Sequence, residues 1–386
     1  MHCDVVVIGA GPGGCATAYY LQQAGWRVTL VERRSHPMAK LCGEFLSADG
    51  VASLTRLGLQ DSASLSSAPS IGEVLISSVS GQSWQAPLPV PGIGWSRQKM
   101  DDTLIRHCSR RGVNIIQGLH VHGIQGDDAH GYDIYGNSTT GHRTLKTRLV
   151  IGAFGKQSVL HRKLGRQSSE ASPLMALKLH IPGGCTPGRV ELHLFPGGYV
   201  GLCEIEERQT NLCLLTEADV FRHAGCNYER FCKERLALNP LLKQRLDALH
   251  PTWQKVMAVA NLTFSPQPRI IDGVLMVGDS AASISPLCGD GMSMALRTGE
   301  LVAPLAHQFL NGELSGQALR QTYDQQWRQE FSRRLRLGGM LQHLFFKPVF
   351  SKTTMALLHK WPSIGQRLIR WTRGQVHVYP DNSYAL

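Results

Sequence analysis

Two buried-strand-and-glycine units near opposite ends of the chain, with a run of short strand-like segments between them, predict an α/β fold. Their order divides the chain into three parts. A domain with a parallel sheet is assembled from residues 1–70, 94–165 and 266–312. An antiparallel β-sheet domain from 71–93 and 166–265 is inserted into it, and 313–386 form a helical C-terminal region. A length of 386 residues suits two or three such units.

The first unit opens the chain. Val5, Val6, Val7 and Ile8 are four β-branched residues in a row, the composition of a strand buried on both faces. Gly9-Ala10-Gly11-Pro12-Gly13-Gly14 follows, then a helical run over 15–24, a stop at Gly25 and a second strand over 27–31. Glu32 stands at the end of that strand with Arg33 beside it. This is the Rossmann-type dinucleotide fingerprint in its full context. Gly9 makes the tight turn, Gly11 lets backbone approach a pyrophosphate, and Gly14 lets helix and strand pack closely. The helix start, with Pro12 and Gly13, offers N–H groups and partial positive charge to phosphates. Glu32, 18 residues past Gly14, is placed to accept hydrogen bonds from ribose hydroxyls, and its charge disfavours a 2′-phosphate.

The second unit begins with the apolar strand 274–277. Gly278-Asp279 follows, then Pro286, Gly289, Asp290, Gly291 and a helix from Met292 to about residue 308. This stretch resembles the FAD-binding motif of the glutathione-reductase-like flavoproteins. The resemblance implies that Asp279 binds the ribityl chain and that the helix points its N-terminus at the flavin pyrimidine. A carboxylate suits a polyol, and a helix N-terminus suits the negative charge of reduced flavin. FAD has two ends to hold, and the chain carries one signature for each. Asp290 falls between the two glycines, where a free charge facing the ring would oppose reduction, so it is expected to turn away or meet a cation.

Between these units lie two weaker matches. Gly94-Trp95-Ser96-Arg97 precedes a helix and is similar to the segment from which group A flavin monooxygenases extend an Arg to FAD, here Arg97. The strand 149–153 leads into Phe154-Gly155-Lys156, like the Asp-Gly motif of the same families, with Phe154 in place of the acid. Order and spacing over most of the chain resemble the geranylgeranyl reductase-like and group A monooxygenase-like flavoproteins, with flavin-dependent halogenases as cousins. Lys40-Leu41-Cys42-Gly43-Glu44 resembles the Lys-x-Cys-Gly stretch of the reductases, which implies a flavin-adjacent and catalytic Cys42 next to Gly43. A small buried packing residue is the other reading of Cys42. The segment 198–205 holds neither Trp of the halogenase motif, which disfavours halogenation, and only Gly198-Tyr199 of the reductase one, a departure that also weakens prenyl reduction.

The strand-like runs over 174–215 read as an antiparallel sheet, which in these families roofs the substrate pocket. The last 70 or so residues intersperse basic and apolar positions. Such helices either cap the body or meet a membrane surface, a lipid or an acidic carrier protein.

The bulk numbers agree with an enzyme. Hydrophobic residues are 42% and charged residues 18% of the chain, ordinary for a globular protein. No apolar run reaches the roughly 18 residues of a membrane span. The first residues lack the basic start of a signal peptide, so a cytoplasmic protein is expected, with peripheral membrane contact as a further option. Ten cysteines form no metal-ligand spacing, so no metal is expected. The net charge of +11 comes with no nucleic-acid motif, so no nucleic-acid partner is expected. One dinucleotide fingerprint leaves no separate NAD(P)H domain, so NAD(P)H or another external donor binds only transiently. The expected activity is that of an FAD-dependent oxidoreductase. The first reading is a monooxygenase acting on an apolar small molecule such as a polyketide- or lipid-derived intermediate. The second is a C=C reductase of prenyl or polyketide chains.

Overall fold

The structure, a computed structural model, describes residues 2–156, 158–166, 172–183, 185–262, 264, 267–346, 355, 357–358 and 360–374. Its first sheet has six strands in the order Ile270–Ile271, Val274–Met276, Leu149–Gly152, Val5–Ile8, Val28–Glu32 and Asn114–Gln117. Val5–Ile8 runs parallel to both Val28–Glu32 and Leu149–Gly152, and the latter runs parallel to Val274–Met276. Strands from the beginning, middle and end of the chain thus lie side by side. Every residue of Val5–Ile8 and Val28–Glu32 is buried, as an apolar strand covered on both faces must be.

The helices Pro12–Gln23 and Gly291–Leu310 cross on this sheet at small residues. A Cβ on Gly299 would lie 2.7 Å from Ala16 Cβ, and one on Gly13 would lie 2.9 Å from the Ala295 carbonyl. The backbones touch because nothing larger than glycine stands between them. That contact fixes the two glycine signatures against each other.

The second sheet has eight strands in the order Met257–Ala260, Leu174–Pro182, Gln209–Glu217, Gly198–Ile205, Arg189–Phe195, Ser70–Ser77, Ser83–Gly94 and Phe45–Leu46. The four runs read from the sequence over 174–215 are its central antiparallel strands. One join differs from a purely antiparallel sheet: Arg189–Phe195 runs parallel to Ser70–Ser77. Ser70 is more than a hundred residues before that partner in the chain, so no turn signal marks the pairing. A third sheet, His120–Asp127, Gly131–Ser138 and Gly141–Thr147, forms a meander that the sequence reading omitted. Helices Ala218–His223, Tyr228–Glu234 and Pro240–Leu249 cover the outer face of the large sheet.

The C-terminal region is helical over Gly316–Phe346 and Pro362–Thr372. Of the basic residues in this region, Lys347 and Lys352 lie outside the described residues. Among the described residues, no helix is long and apolar enough to cross a membrane, and no group of His, Cys, Asp or Glu is arranged to hold a metal ion.

Candidate active site

The two signatures, the segment 38–45, the start of the Arg97–Arg110 helix, the inner face of the large sheet and the C-terminal helices surround one cavity of about 820 Å³. Each cofactor-site residue singled out from the sequence, from Gly9 to Met292, lines it. At one end, Gly9 holds φ +111°, and a Cβ there would lie 2.2 Å from the Ala153 carbonyl oxygen. A Cβ on Gly14 would lie 2.0 Å from the Gly9 carbonyl oxygen. A Cβ on Gly11, by contrast, would meet nothing within 4 Å. Two glycines are therefore demanded by the protein's own packing, while the third borders open space at a helix N-terminus. That is the arrangement a pyrophosphate needs.

Glu32 ends its strand beside this loop. Its Oε2 accepts from the Ala10 N–H at 3.0 Å and its Oε1 from the Arg34 N–H at 3.1 Å. A carboxylate has about four lone-pair sites, so capacity for ribose hydroxyls remains. At the other end, Gly278 holds φ +58° and its N–H donates to Thr298 Oγ1 at 2.8 Å, which sets Asp279 on the cavity wall.

A sequence profile described as FAD binding domain matches residues 2–335. The chain belongs to this family of FAD-binding proteins. FAD is its cofactor, and it is an FAD-dependent oxidoreductase. Among curated proteins, it is 29% identical over 330 residues to a menaquinone reductase of Mycolicibacterium smegmatis, covering 79% of this chain and 76% of that one. It is 24% identical over 356 residues to digeranylgeranylglycerophospholipid reductase 2 of Methanopyrus kandleri, covering 89% and 87%. Among solved structures, it matches the flavin-dependent brominase Bmp2 with a TM-score of 0.81 at 19% identity, covering 96% and 93%. It also matches Pseudomonas aeruginosa PqsL in complex with 2-aminobenzoylacetate, with a TM-score of 0.76 at 19% identity, covering 91% and 98%. At that identity the two structures speak for the fold alone.

The flavoprotein's middle wall was only partly legible in sequence. Arg97 is half-buried, and its Nε and Nη2 donate to Asp101 at 3.0 and 2.9 Å. Lys40 Nζ reaches the same carboxylate at 2.8 Å. Burial opposes ionisation of Asp101, but these two cations hold it below the usual carboxylate range. Burial likewise opposes the charge on Arg97, and Asp101 more than offsets it. The Arg97 backbone N–H donates to Glu44 Oε1 at 2.7 Å.

Glu44 organises a cluster that sequence reasoning missed, noting it only as part of a Gly-Glu pair. It is fully buried, pairs with the buried Lys178, and has Oε2 2.6 Å from His180 Nε2. Lys178 Nζ also donates to the Lys40 carbonyl at 2.9 Å. Burial would raise the Glu44 carboxyl, but the His180 and Lys178 contacts hold it below its ordinary value. Its backbone sits in the left-handed region at φ +57°, which costs a non-glycine residue about 1–3 kcal/mol. Hydrogen bonds to charged groups contribute about 1.5–3 kcal/mol each, enough to offset that strain. The signal available in sequence was Lys178 and His180 alternating on an otherwise apolar strand.

This cluster shapes the bend carrying Cys42. The Glu44 N–H donates to Cys42 Sγ at 3.4 Å, and Asn211 Nδ2 donates to the Cys42 carbonyl at 3.1 Å. Burial pushes the Cys42 thiol up, against an opposing pull from Arg97. The group on the cavity wall is therefore a neutral S–H and a weak nucleophile.

Phe154, standing where the family motif has an acid, lies edge-on to His161 with ring centroids 5.0 Å apart. Lys156 lies over the Phe264 ring at 4.1 Å, and burial lowers its pKa against the pull of Asp279. Asp290 meets a cation, as expected: its Oδ2 is 3.0 Å from Arg334 Nη1, and Ser47 Oγ is 2.9 Å from its Oδ1. Burial and the nearby Asp49 push the Asp290 carboxyl up to about 7 despite Arg334. Arg334 comes from the basic C-terminal helix, so part of that helix's charge points inward. Arg373 also turns inward, over the Phe45 ring at 4.8 Å, and burial lowers its pKa.

Proposed function

We propose that the protein reduces a C=C bond in an apolar, prenyl- or polyketide-like chain. The observation that carries this reading is the position of the Cys42 thiol on the wall of a cavity lined by both apolar and cofactor-binding residues. When bound, FAD supplies hydride-equivalent redox chemistry. Reducing a double bond also takes one proton at the neighbouring carbon, and Cys42 Sγ–H holds one inside the site. Glu44, bonded through its own N–H to that sulfur, orients it. The side of the cavity away from the glycine loop is walled by Val74, Ile76, Leu192, Leu341, Phe345 and Leu368, which suits an apolar chain and excludes water. Relatives bearing the names of menaquinone and digeranylgeranylglycerophospholipid reductases support the same class. Asp279, the Gly11 loop and the N-terminus of Gly291–Leu310 would hold the ribityl chain, pyrophosphate and flavin pyrimidine.

Oxygenation of an apolar small molecule, the first reading from sequence, is the second here. The water-poor wall favours it equally, but it leaves the protonated thiol without a use. Product analysis separates them. Incubation with a chemical reductant and a polyprenyl acceptor should give a product two hydrogens heavier, formed without O₂. Cys42→Ala should slow it by about 10²-fold or more, the usual worth of a positioned acid. A product one oxygen heavier, formed only in air, would replace reduction by oxygenation.

A further inference from the structure

We infer that the C-terminal helical cap is a membrane-docking surface for an anionic lipid bilayer, and that it is also the wall through which the cavity is loaded. Among the described residues, seven large apolar side chains are exposed, and four of them, Met340, Leu357, Trp361 and Trp371, fall within this one region. A fifth, Val90, is on the strand against which Pro362–Thr372 packs. The packing there is close: a Cβ on Gly365 would lie 2.2 Å from Trp84 Cζ2.

Along the sequence of this region the charge has one sign. Residues 331–380 hold nine Lys and Arg and no Asp or Glu. Arg334 and Arg373 turn inward, but Arg333, Arg336, Lys360, Arg367 and Arg370 are exposed. Arg333 stacks over Trp371 at 5.5 Å and Lys360 over Trp361 at 4.8 Å. Exposed Trp side chains ringed by basic residues suit the headgroup layer, where the indole sits at the interface and the cations meet lipid phosphates. An acidic carrier protein would satisfy the charges but would leave two half-exposed indoles and Met340 without an apolar medium.

The same segments line the cavity from inside. Exposed Met340 precedes the lining residue Leu341, exposed Leu357 precedes Leu358, and exposed Trp371 precedes Thr372. That the surface serves substrate entry rests on the apolar-substrate reading above; that it meets a membrane does not.

The test is flotation of the full-length, FAD-loaded protein with phosphatidylcholine vesicles, with and without phosphatidylglycerol. Binding should be about tenfold or more stronger with the anionic lipid and should weaken with salt. Trp361→Ser/Trp371→Ser and Arg367→Glu/Arg370→Glu should each weaken it by about tenfold or more while keeping flavin content and melting temperature, since all four side chains are exposed. No preference for anionic vesicles, or undiminished binding by both variants, would overturn the inference. So would binding to an acidic carrier protein without binding to vesicles. If docking fails while a detergent-dispersed polyprenyl chain is still reduced, only the membrane surface falls.

Discussion

Asp290 Oδ2 and Arg334 Nη1 stand 3.0 Å apart in the buried seam between the helix that opens the second glycine signature and the long C-terminal helix. Asp290 is fully buried there. Its carboxyl, ordinarily near 3.8, is pushed up to about 7, so the folded protein holds this proton more tightly than the unfolded chain. The stability tied to it is present below pH 4 or so and is lost as pH rises through about 7. Asp290→Asn should flatten the decline in melting temperature across that window. Arg334→Met should cost about 3 kcal/mol, the low end for a broken buried pair, because Asp290 can hold a proton instead. Denaturant unfolding of both variants over pH 5–8 checks this, and an unchanged pH slope in Asp290→Asn would refute it.

Glu191 gives the opposite sign. It is fully buried and accepts from Arg245 Nε at 2.8 Å, with His193 Nε2 3.0 Å away. Burial opposes its charge, but these partners hold it down to about 2, against an ordinary 4.5. Its stabilisation is present above about pH 4.5 and is lost as pH falls through about 2. Glu191→Gln should therefore lower stability at pH 7 and narrow the gap to wild type on acidification. A gap that widens in acid would show that another carboxylate carries the effect.

The buried Glu44–Lys178 pair should behave as a unit. Lys178→Met alone leaves a buried carboxylate without its ammonium and should cost about 3–5 kcal/mol. The double variant Glu44→Gln/Lys178→Met should cost less than the sum of the single changes. A double-mutant cycle by chemical unfolding measures the difference. Additive losses would mean that the two side chains are held independently.

The glycine loop separates folding from cofactor binding. Gly11→Val enters open space in the protein itself, so a folded protein lacking FAD is expected. Gly14→Val drives a side chain into the Gly9 carbonyl and should prevent folding. Asp279→Ala should keep the fold and weaken FAD about ten- to a hundredfold, the loss of one charge-assisted hydrogen bond or a little more. Flavin absorbance and circular dichroism read both outcomes. Full flavin occupancy in Gly11→Val would remove the loop from the cofactor site.

The parts of this site legible in sequence are those in which chemistry is local. Gly9, Gly11, Gly14 and Glu32 fall within one βαβ unit, and Gly278 to Met292 within one strand-turn-helix, so spacing alone reports them. Glu44, Lys178 and His180 are joined across 134 and 136 residues, and no local pattern marks such a pairing. Arg334 and Arg373 look like solvated charges of a basic helix until packing turns them toward Asp290 and Phe45. The meander over 120–147 escaped because its strands alternate weakly and its outer strand is largely exposed, leaving little apolar periodicity to read.

The central claim is that the site reduces a double bond held beside Cys42, with the electrons that bound FAD would supply. The most direct measurement is anaerobic mixing of the chemically reduced, FAD-loaded protein with a polyprenyl acceptor, followed by flavin absorbance. Return of the oxidised flavin band without O₂, fast in wild type and slower in Cys42→Ala, is the predicted result. A band that stays bleached until air is admitted, at a rate indifferent to Cys42, would contradict the account.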